Sequence, residues 1–219
     1  NVSQRCPNRV RIGYERDGGL ASQVVAPAEN LYPLPDELAA LAPLVEPLTV
    51  AVHSIGRAAV RPGAGAAVIG CGAIGLMSVE VLRARGADPV LLVGTEDDER
   101  GGGLAIGQGY GAVPLVAGSA EMAGWAGSCE SVIAAAGAPA AVRTGIELAE
   151  RGATVVVLGL GIGPVELEMD AAVRRELSLV GGFGAIPEDW LDAVALMRSG
   201  AVTAAGVADL GVPIAEAPA

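Results

Sequence analysis

From residue 66 onward the chain alternates short, continuous apolar runs with stretches of helical spacing. The runs are 66–70 (AAVIG), 90–93 (VLLV), 113–116 (VPLV), 131–136 (SVIAAA), 154–159 (TVVVLG) and 177–183 (LSLVGGF). Strands apolar on both faces suit a parallel sheet covered by helices. Six of them with intervening helices predict an α/β protein built on a doubly wound parallel sheet. Upstream, in 35–60 (PDELAALAPLVEPLTVAVHSIGRAAV), apolar positions recur every three or four residues. With Pro47 suited to a first helical turn, this predicts two helices, the second from about 47 to 58. Residues 1–36 are polar and mixed, and their prolines suit strand edges and turns; they read as the end of a β-rich unit.

Composition narrows the function classes. The 219 residues are 52% hydrophobic and only 18% charged, with a net charge of -11 and no basic block. A nucleic-acid or anionic-membrane surface is disfavoured, and a small-molecule partner fits better. Arg, Glu, Asp or clustered Gly interrupts each apolar run before it reaches the length of a spanning helix, so the expectation is a soluble protein. Cys6, Cys71 and Cys129 are odd in number and widely spaced. That suggests no disulfide framework and a reducing compartment, by default the cytoplasm.

The chemistry begins at Gly70-Cys71-Gly72-Ala73-Ile74-Gly75. Glycine is 32 of the 219 residues, so such a pattern arises by chance about once per chain. Its placement between the first predicted strand and a helix makes it informative. In a dinucleotide-binding turn, Gly70 permits the tight turn, Gly72 admits a pyrophosphate to the backbone and Gly75 lets helix and strand pack closely. An acid about 20 residues later would bind the adenosine ribose; here the region reads "LLVGTEDDER". Glu96 on the ribose favours NAD, whereas Thr95 with Arg100 accepts the extra phosphate of NADP. A third reading is that Asp97 and Asp98 simply open the next helix. Ala73 and Ile74 at the helix start, Gly137 after strand four, and Gly159, Leu160 and Gly161 after strand five complete the expected cofactor contacts. Gly182 and Phe183 are weaker candidates.

The stretch "EPLTVAVHSIGRAAVRPGAGAAVIGCGAIGL" resembles the hinge and first cofactor turn of the zinc-dependent medium-chain dehydrogenase/reductase superfamily, with sorbitol and threonine dehydrogenases nearest. "DGGLASQVVAPAENLYPLPDELAALAPLVEPL", "AAAGAPAAVRTGIELAERGATVVVLGL" and "RELSLVGGFGAIPEDWLDAVALMRSGAV" extend the resemblance over nearly the whole chain. It implies a Rossmann domain over 47–185. It also implies parts of a GroES-like catalytic domain at 1–46 and 186–219. The implied activity is hydride transfer between NAD or NADP and an alcohol or polyol whose oxygen a zinc ion polarises. Glu46 matches the acid that approaches the catalytic zinc, against the plainer reading of a helix-start carboxylate. His53 shares a helix face with Glu46 but sits seven residues on, about 10 Å away, too far for both to bind one ion. A helix-packing or cofactor-side role suits it better. Cys6 in "SQRCPNR" matches the last cysteine of the family's structural zinc lobe; as it stands it is a lone thiol.

The chain also departs from the family. The upstream Cys and His of the catalytic site are not in the sequence, and the stop at "GVPIAEAPA" lacks the last helix and strands, so truncation at both ends is expected. Gly101, Gly102 and Gly103 interrupt a helix that the family keeps continuous, which predicts a loop or broken helix. Two alternatives accompany the dehydrogenase reading: a non-catalytic nucleotide-binding remnant, and a zinc-free, quinone-reductase-like member. The "EPL" acid argues against the latter. Family members commonly pair through the edge strand, here "LSLVGGF", so a homodimer or homotetramer is expected.

Overall fold

In the computed structural model, which describes residues 5–208, each two-sided apolar run is a strand. The strands are β1 Ala66–Ile69, β2 Val90–Gly94, β3 Val113–Val116, β4 Cys129–Ala134, β5 Ala149–Val157 and β6 Ser178–Gly181. They form one parallel sheet in the order β3-β2-β1-β4-β5-β6. This is the doubly wound arrangement, with the order reversing beside β1. Side chains alternate between its faces. Ala66 and Val68 join one core cluster with Leu92, Ile133 and Val156, while Ala67 and Ile69 join another with Leu91, Val132 and Val155.

Helices cover both faces. The first carries α1 (Ala42–Ala58), α2 (Ala73–Ala84), α4 (Gly103–Gly109) and α8 (Pro187–Arg198). The second carries α5 (Ala120–Ala123) and α6 (Pro139–Leu148). The short helices α3 (Glu96–Arg100) and α7 (Met169–Arg174) complete the set.

The region before β1 corrects two expectations. A single α-helix begins at Ala42, after a 3-10 helix over Asp36–Leu41, and Pro47 lies inside it. Pro43 occupies its first turn instead. An interior proline costs about 3 kcal/mol. Burial of Leu48, Val52 and Ile55 beneath α2 and α8 offsets that cost, since each such side chain contributes about 1.5–3 kcal/mol. Between residues 5 and 41 there is no β-strand, only 3-10 turns and an isolated bridge between Ile12 and Arg16. Pro27, Pro33 and Pro35 have no N–H to give a ladder.

Asp36–Ala58, 23 residues, is also long and apolar enough to cross a membrane by length and composition. This corrects the expectation that every apolar run is interrupted too early. Here the apolar face of α1 is spent on the core, against α2 and α8. Residues 209–219, with the segment "GVPIAEAPA", lie outside the described residues.

The triple glycine does break the helix. Gly102 sits at φ +83°, in the left-handed region, between α3 and α4. A Cβ on Gly103 would lie 2.8 Å from the Cβ of Cys71. The glycines therefore let α4 pack directly on the glycine turn after β1.

Candidate active site

Because all strands are parallel, their carboxyl ends share one edge, where such sheets bind ligands. The turn after β1 shows three different uses of glycine. Gly70 adopts φ +115°, and its missing Cβ would stand 3.0 Å from the backbone nitrogen of Ala136. A Cβ on Gly75 would lie 1.9 Å from the carbonyl oxygen of Gly70. Gly72 is different: at φ −72°, ψ 176° its backbone suits any residue, and among the described residues no atom beyond its chain neighbours lies within 4 Å of an added Cβ. Its bareness therefore leaves space for something other than protein.

That space adjoins the N-terminus of α2, capped by the backbone of Gly72 without a side-chain partner. Leu76 N–H donates to the carbonyl of Gly72 at 2.9 Å. The N–H groups of Ala73, Ile74 and Gly75 precede any intrahelical acceptor and carry the positive end of the helix dipole. This arrangement fits the pyrophosphate of a dinucleotide.

At the end of β2 the acids serve the helix. Asp98 accepts hydrogen bonds from the Thr95 backbone N–H (2.7 Å) and hydroxyl (2.8 Å), while Asp98 N–H donates to Thr95 Oγ1, closing a capping box. Arg100 pairs with Glu96 and Asp97 on the same turn. Thr95, Glu96 and Arg100 thus sit at the predicted ribose end, but their side chains are already partnered. Cys71 lies beneath them, its thiol pushed up to about 12 by burial and then by the Asp98 carboxylate.

The loops after β4 and β5 cross closely. A Cβ on Gly137 would meet the Leu160 carbonyl oxygen at 2.5 Å, and one on Gly159 the Ala136 carbonyl oxygen at 2.3 Å. Both glycines are required by this approach; Gly161, at φ +74°, is required by its turn. Next to the crossing lies a cavity of about 660 Å³. Ile74, Gly159 and Leu160 line it from the sheet side, Glu46, Thr49 and Val50 from α1, and Gly182, Phe183 and Trp190 from the β6–α8 side. Its remaining wall includes Arg9, Arg11 and Tyr14 of the amino-terminal segment.

The structure therefore brings Glu46, Ile74, Gly159 and Leu160 together, with Gly70, Gly72, Ala73 and Gly75 in the adjoining turn. Glu46 is the one carboxylate lining the cavity among the described residues. His53 does not line it. Its Nδ1 lies 2.8 Å from Oδ2 of Asp189, the oxygen that also accepts the Ile186 N–H at 2.7 Å and so caps α8. This suits a packing role. Cys6 is exposed and lines a neighbouring cavity of about 590 Å³. Arg9, Arg11, Tyr14, Thr49 and Trp190 were not expected from the sequence; the arginine-rich start of an acidic chain is a signal that could have marked Arg9 and Arg11, and none marks Thr49 or Trp190.

Zinc does not fit these residues by themselves. Among the described residues no three His, Cys, Asp or Glu side chains gather as a metal site. Glu46 offers one ligand, and His53 is held by Asp189. Tetrahedral zinc sites need three or four protein ligands, so no chemical step is assigned to a metal here.

Residues 73–199 match the family model described as zinc-binding dehydrogenase. The chain belongs to this dehydrogenase family. It is 32% identical to L-galactonate-5-dehydrogenase of Escherichia coli K12 over 88% of this chain and 57% of that protein. It is 33% identical to D-xylulose reductase A of Aspergillus oryzae over 85% of this chain and 54% of that one. A structure from Sinorhizobium meliloti 1021 described as a zinc-binding dehydrogenase, solved with NADP, superposes with a TM-score of 0.82 at 30% identity, covering 91% of this chain and 60% of that one. A 2R,3R-butanediol dehydrogenase from Bacillus subtilis superposes with a TM-score of 0.80 at 25% identity, over 91% and 58%. The chain thus spans between half and two thirds of the length of these family members.

Proposed function

We propose that this chain is the cofactor-binding portion, with part of the substrate cavity, of an NAD(P)-dependent alcohol or polyol dehydrogenase. The observation that carries the reading is the open space at Gly72 facing the α2 N-terminus. It is supported by the cavity that joins this turn to Glu46. The names of the similar proteins, a sugar-acid dehydrogenase and a ketose reductase, point to polyol-like substrates.

In this reading the N–H groups of Ala73, Ile74 and Gly75 bind the phosphates, and Gly70 and Gly75 fix the turn. Gly159 and Leu160 bound the end of the groove that opens on the cavity. The cofactor, when bound, would supply the hydride acceptor: the carbinol carbon would give its hydride to the nicotinamide and the hydroxyl its proton to the Glu46 carboxylate, leaving a carbonyl. Glu46 accepts a hydrogen bond from the reacting hydroxyl and orients it; Thr49 donates to the Glu46 carbonyl at 2.7 Å and steadies that turn of α1. Cys6 as a structural-zinc ligand and zinc beside Glu46 remain part of the family reading for the complete enzyme.

The test is turnover: reduced nicotinamide is followed by absorbance as a panel of alditols and ketoses is offered with either cofactor. Glu46→Gln should lower kcat by about tenfold or more while leaving cofactor affinity intact. Nucleotide binding without turnover across the panel would remove the catalytic reading and leave the non-catalytic nucleotide-binding remnant; absence of both would remove the two readings together.

We also propose residues 47–185 as the nucleotide-binding domain, with 1–46 and 186–219 belonging to the catalytic domain. Pairing through the exposed edge of β6 would give a homodimer or homotetramer, because an open edge is otherwise an aggregation hazard. Light scattering showing only monomer at high concentration would refute that. The three free cysteines suit a reducing, cytoplasmic setting, which localisation of a tagged natural protein would check.

A further inference from the structure

The amino-terminal segment concentrates positive charge in an otherwise acidic chain. Residues 1–16 contain Arg5, Arg9, Arg11 and Arg16 against a single acid, Glu15, in a protein of net charge -11. Three of these arginines line adjoining cavities: Arg9 and Arg11 are shared by both, and Arg16 lines the second. Elsewhere Arg61, Arg83, Arg85, Arg100 and Arg174 pair with carboxylates. Among the described residues Arg9 and Arg16 have no such partner, as is also true of Arg143, Arg151, Arg175 and Arg198 among others; Arg9 stands apart in lining both cavities without one.

Arg9 is held in place without one. Its guanidinium stands over the Phe183 ring, 5.3 Å from the centroid, at the cavity wall. This cation–π contact holds the guanidinium beside the cavity, and among the described residues none of its N–H groups is hydrogen-bonded to protein. Arg11 lies over Tyr14 at 4.3 Å and is bound to Glu15 at 2.5–3.1 Å, so its charge is largely spent locally. The cavity is therefore polarised, with the Glu46 carboxylate on α1 and an unneutralised arginine on the amino-terminal segment.

We infer that the substrate carries an anionic group, a carboxylate or a phosphate, bound by Arg9 while the reacting hydroxyl faces Glu46. Arg16, in the adjoining cavity, adds to the attraction. A planar guanidinium matches both anions in bidentate geometry, and this class of polyol would be oriented end to end by the two charges. The inference rests on the dehydrogenase reading.

The experiment measures kcat/KM of the natural protein for three six-carbon probes, sorbitol, gluconate and sorbitol 6-phosphate, with wild type, Arg9→Gln and a distant charge control, Arg174→Gln. Binding is read independently by the fluorescence of Trp190, which lines both cavities and stacks on Tyr32 at 5.2 Å between centroids. One of the anionic probes is expected to exceed sorbitol by about tenfold or more in kcat/KM, chiefly through KM. Arg9→Gln should abolish that advantage, while Arg174→Gln preserves it. Which anion wins identifies the group. Turnover of sorbitol with no gain from either anion, or an advantage that survives Arg9→Gln, overturns the inference and leaves the dehydrogenase reading standing. Absence of both turnover and nucleotide binding overturns both.

Discussion

Replacing Gly72 and Gly75 by alanine, one at a time, separates two roles that the sequence pattern cannot distinguish. At Gly72 the backbone is already in a region open to L-residues, and among the described residues the new methyl meets no atom beyond its chain neighbours within 4 Å. Alanine is a poorer helix N-cap than glycine by about 0.5–1 kcal/mol, but reduces unfolded-state entropy by about 0.4–1 kcal/mol. The two nearly cancel, so the melting temperature should move by no more than about 2 °C. The methyl nevertheless fills the space left for the pyrophosphate. Losing charge-assisted hydrogen bonds there, at about 1.5–3 kcal/mol, weakens NADH or NADPH binding by roughly tenfold to a hundredfold. At Gly75 the methyl would stand 1.9 Å from the Gly70 carbonyl oxygen, which cannot move without disturbing a turn already pressed against Ala136. Overpacking against backbone should cost about 3 kcal/mol, lowering the melting temperature by roughly 6–12 °C. Differential scanning fluorimetry and calorimetric titration with the reduced cofactors measure both effects. A Gly72→Ala variant that binds the cofactor like wild type would refute the pyrophosphate assignment, and an unshifted Gly75→Ala melt would refute the packing argument.

Three further outcomes follow from the same structure. Asp189→Ala removes the acceptor for both His53 and the Ile186 N–H, and should cost about 1–3 kcal/mol in urea unfolding; coupling with His53→Ala near zero would mean that the two do not interact. Ser54→Ala removes a buried hydroxyl that has no hydrogen-bond partner among the described residues, so stability should stay level or rise; a loss above about 1 kcal/mol would contradict this. The buried thiols of Cys71 and Cys129, pushed up to about 12 and about 11, keep their protons at a pH where an unfolded cysteine has lost them. The folded chain then binds more protons than the unfolded one, so their contribution is intact below about pH 8.5. It falls as pH rises, by up to ~1.4 kcal/mol per unit for each thiol. Urea titrations from about pH 8 to about pH 10 should show this decline, and Cys129→Ser should flatten it; a slope unchanged by Cys129→Ser would contradict the assignment.

The sheet was legible because its strands are apolar on both faces, a pattern few other elements share. Their beginnings were less so: β4 starts at Cys129 and β5 at Ala149, among Glu130, Glu150 and Arg151. Polar residues enter a strand there because that end reaches solvent, where Arg61 pairs with Glu130. Pro47 misled for a related reason, since local propensity gave way to the burial of Leu48, Val52 and Ile55. The helix break at Gly102 could be read from composition, but the need for Gly103 could not. It depends on Cys71, a contact between segments 32 residues apart, visible only once β1 and β2 are side by side. The glycine turn was picked out by its place between a strand and a helix, and Glu46 by the resemblance of "EPL" to the dehydrogenase family. Arg9 and Arg11 were not, because they lie on an aperiodic segment whose position is set entirely by tertiary packing.

The central claim is that the groove from the glycine turn to Glu46 carries hydride transfer to a nicotinamide. Its most direct test incubates the natural protein with oxidised NAD or NADP and a polyol deuterated at the carbinol carbon, then examines the cofactor by mass spectrometry. Deuterium recovered on the nicotinamide ring, and much slower transfer in Gly72→Ala, is the predicted result. Oxidised cofactor returned unlabelled across the polyol panel, despite tight binding, would contradict the claim and leave a protein that holds the dinucleotide without using it.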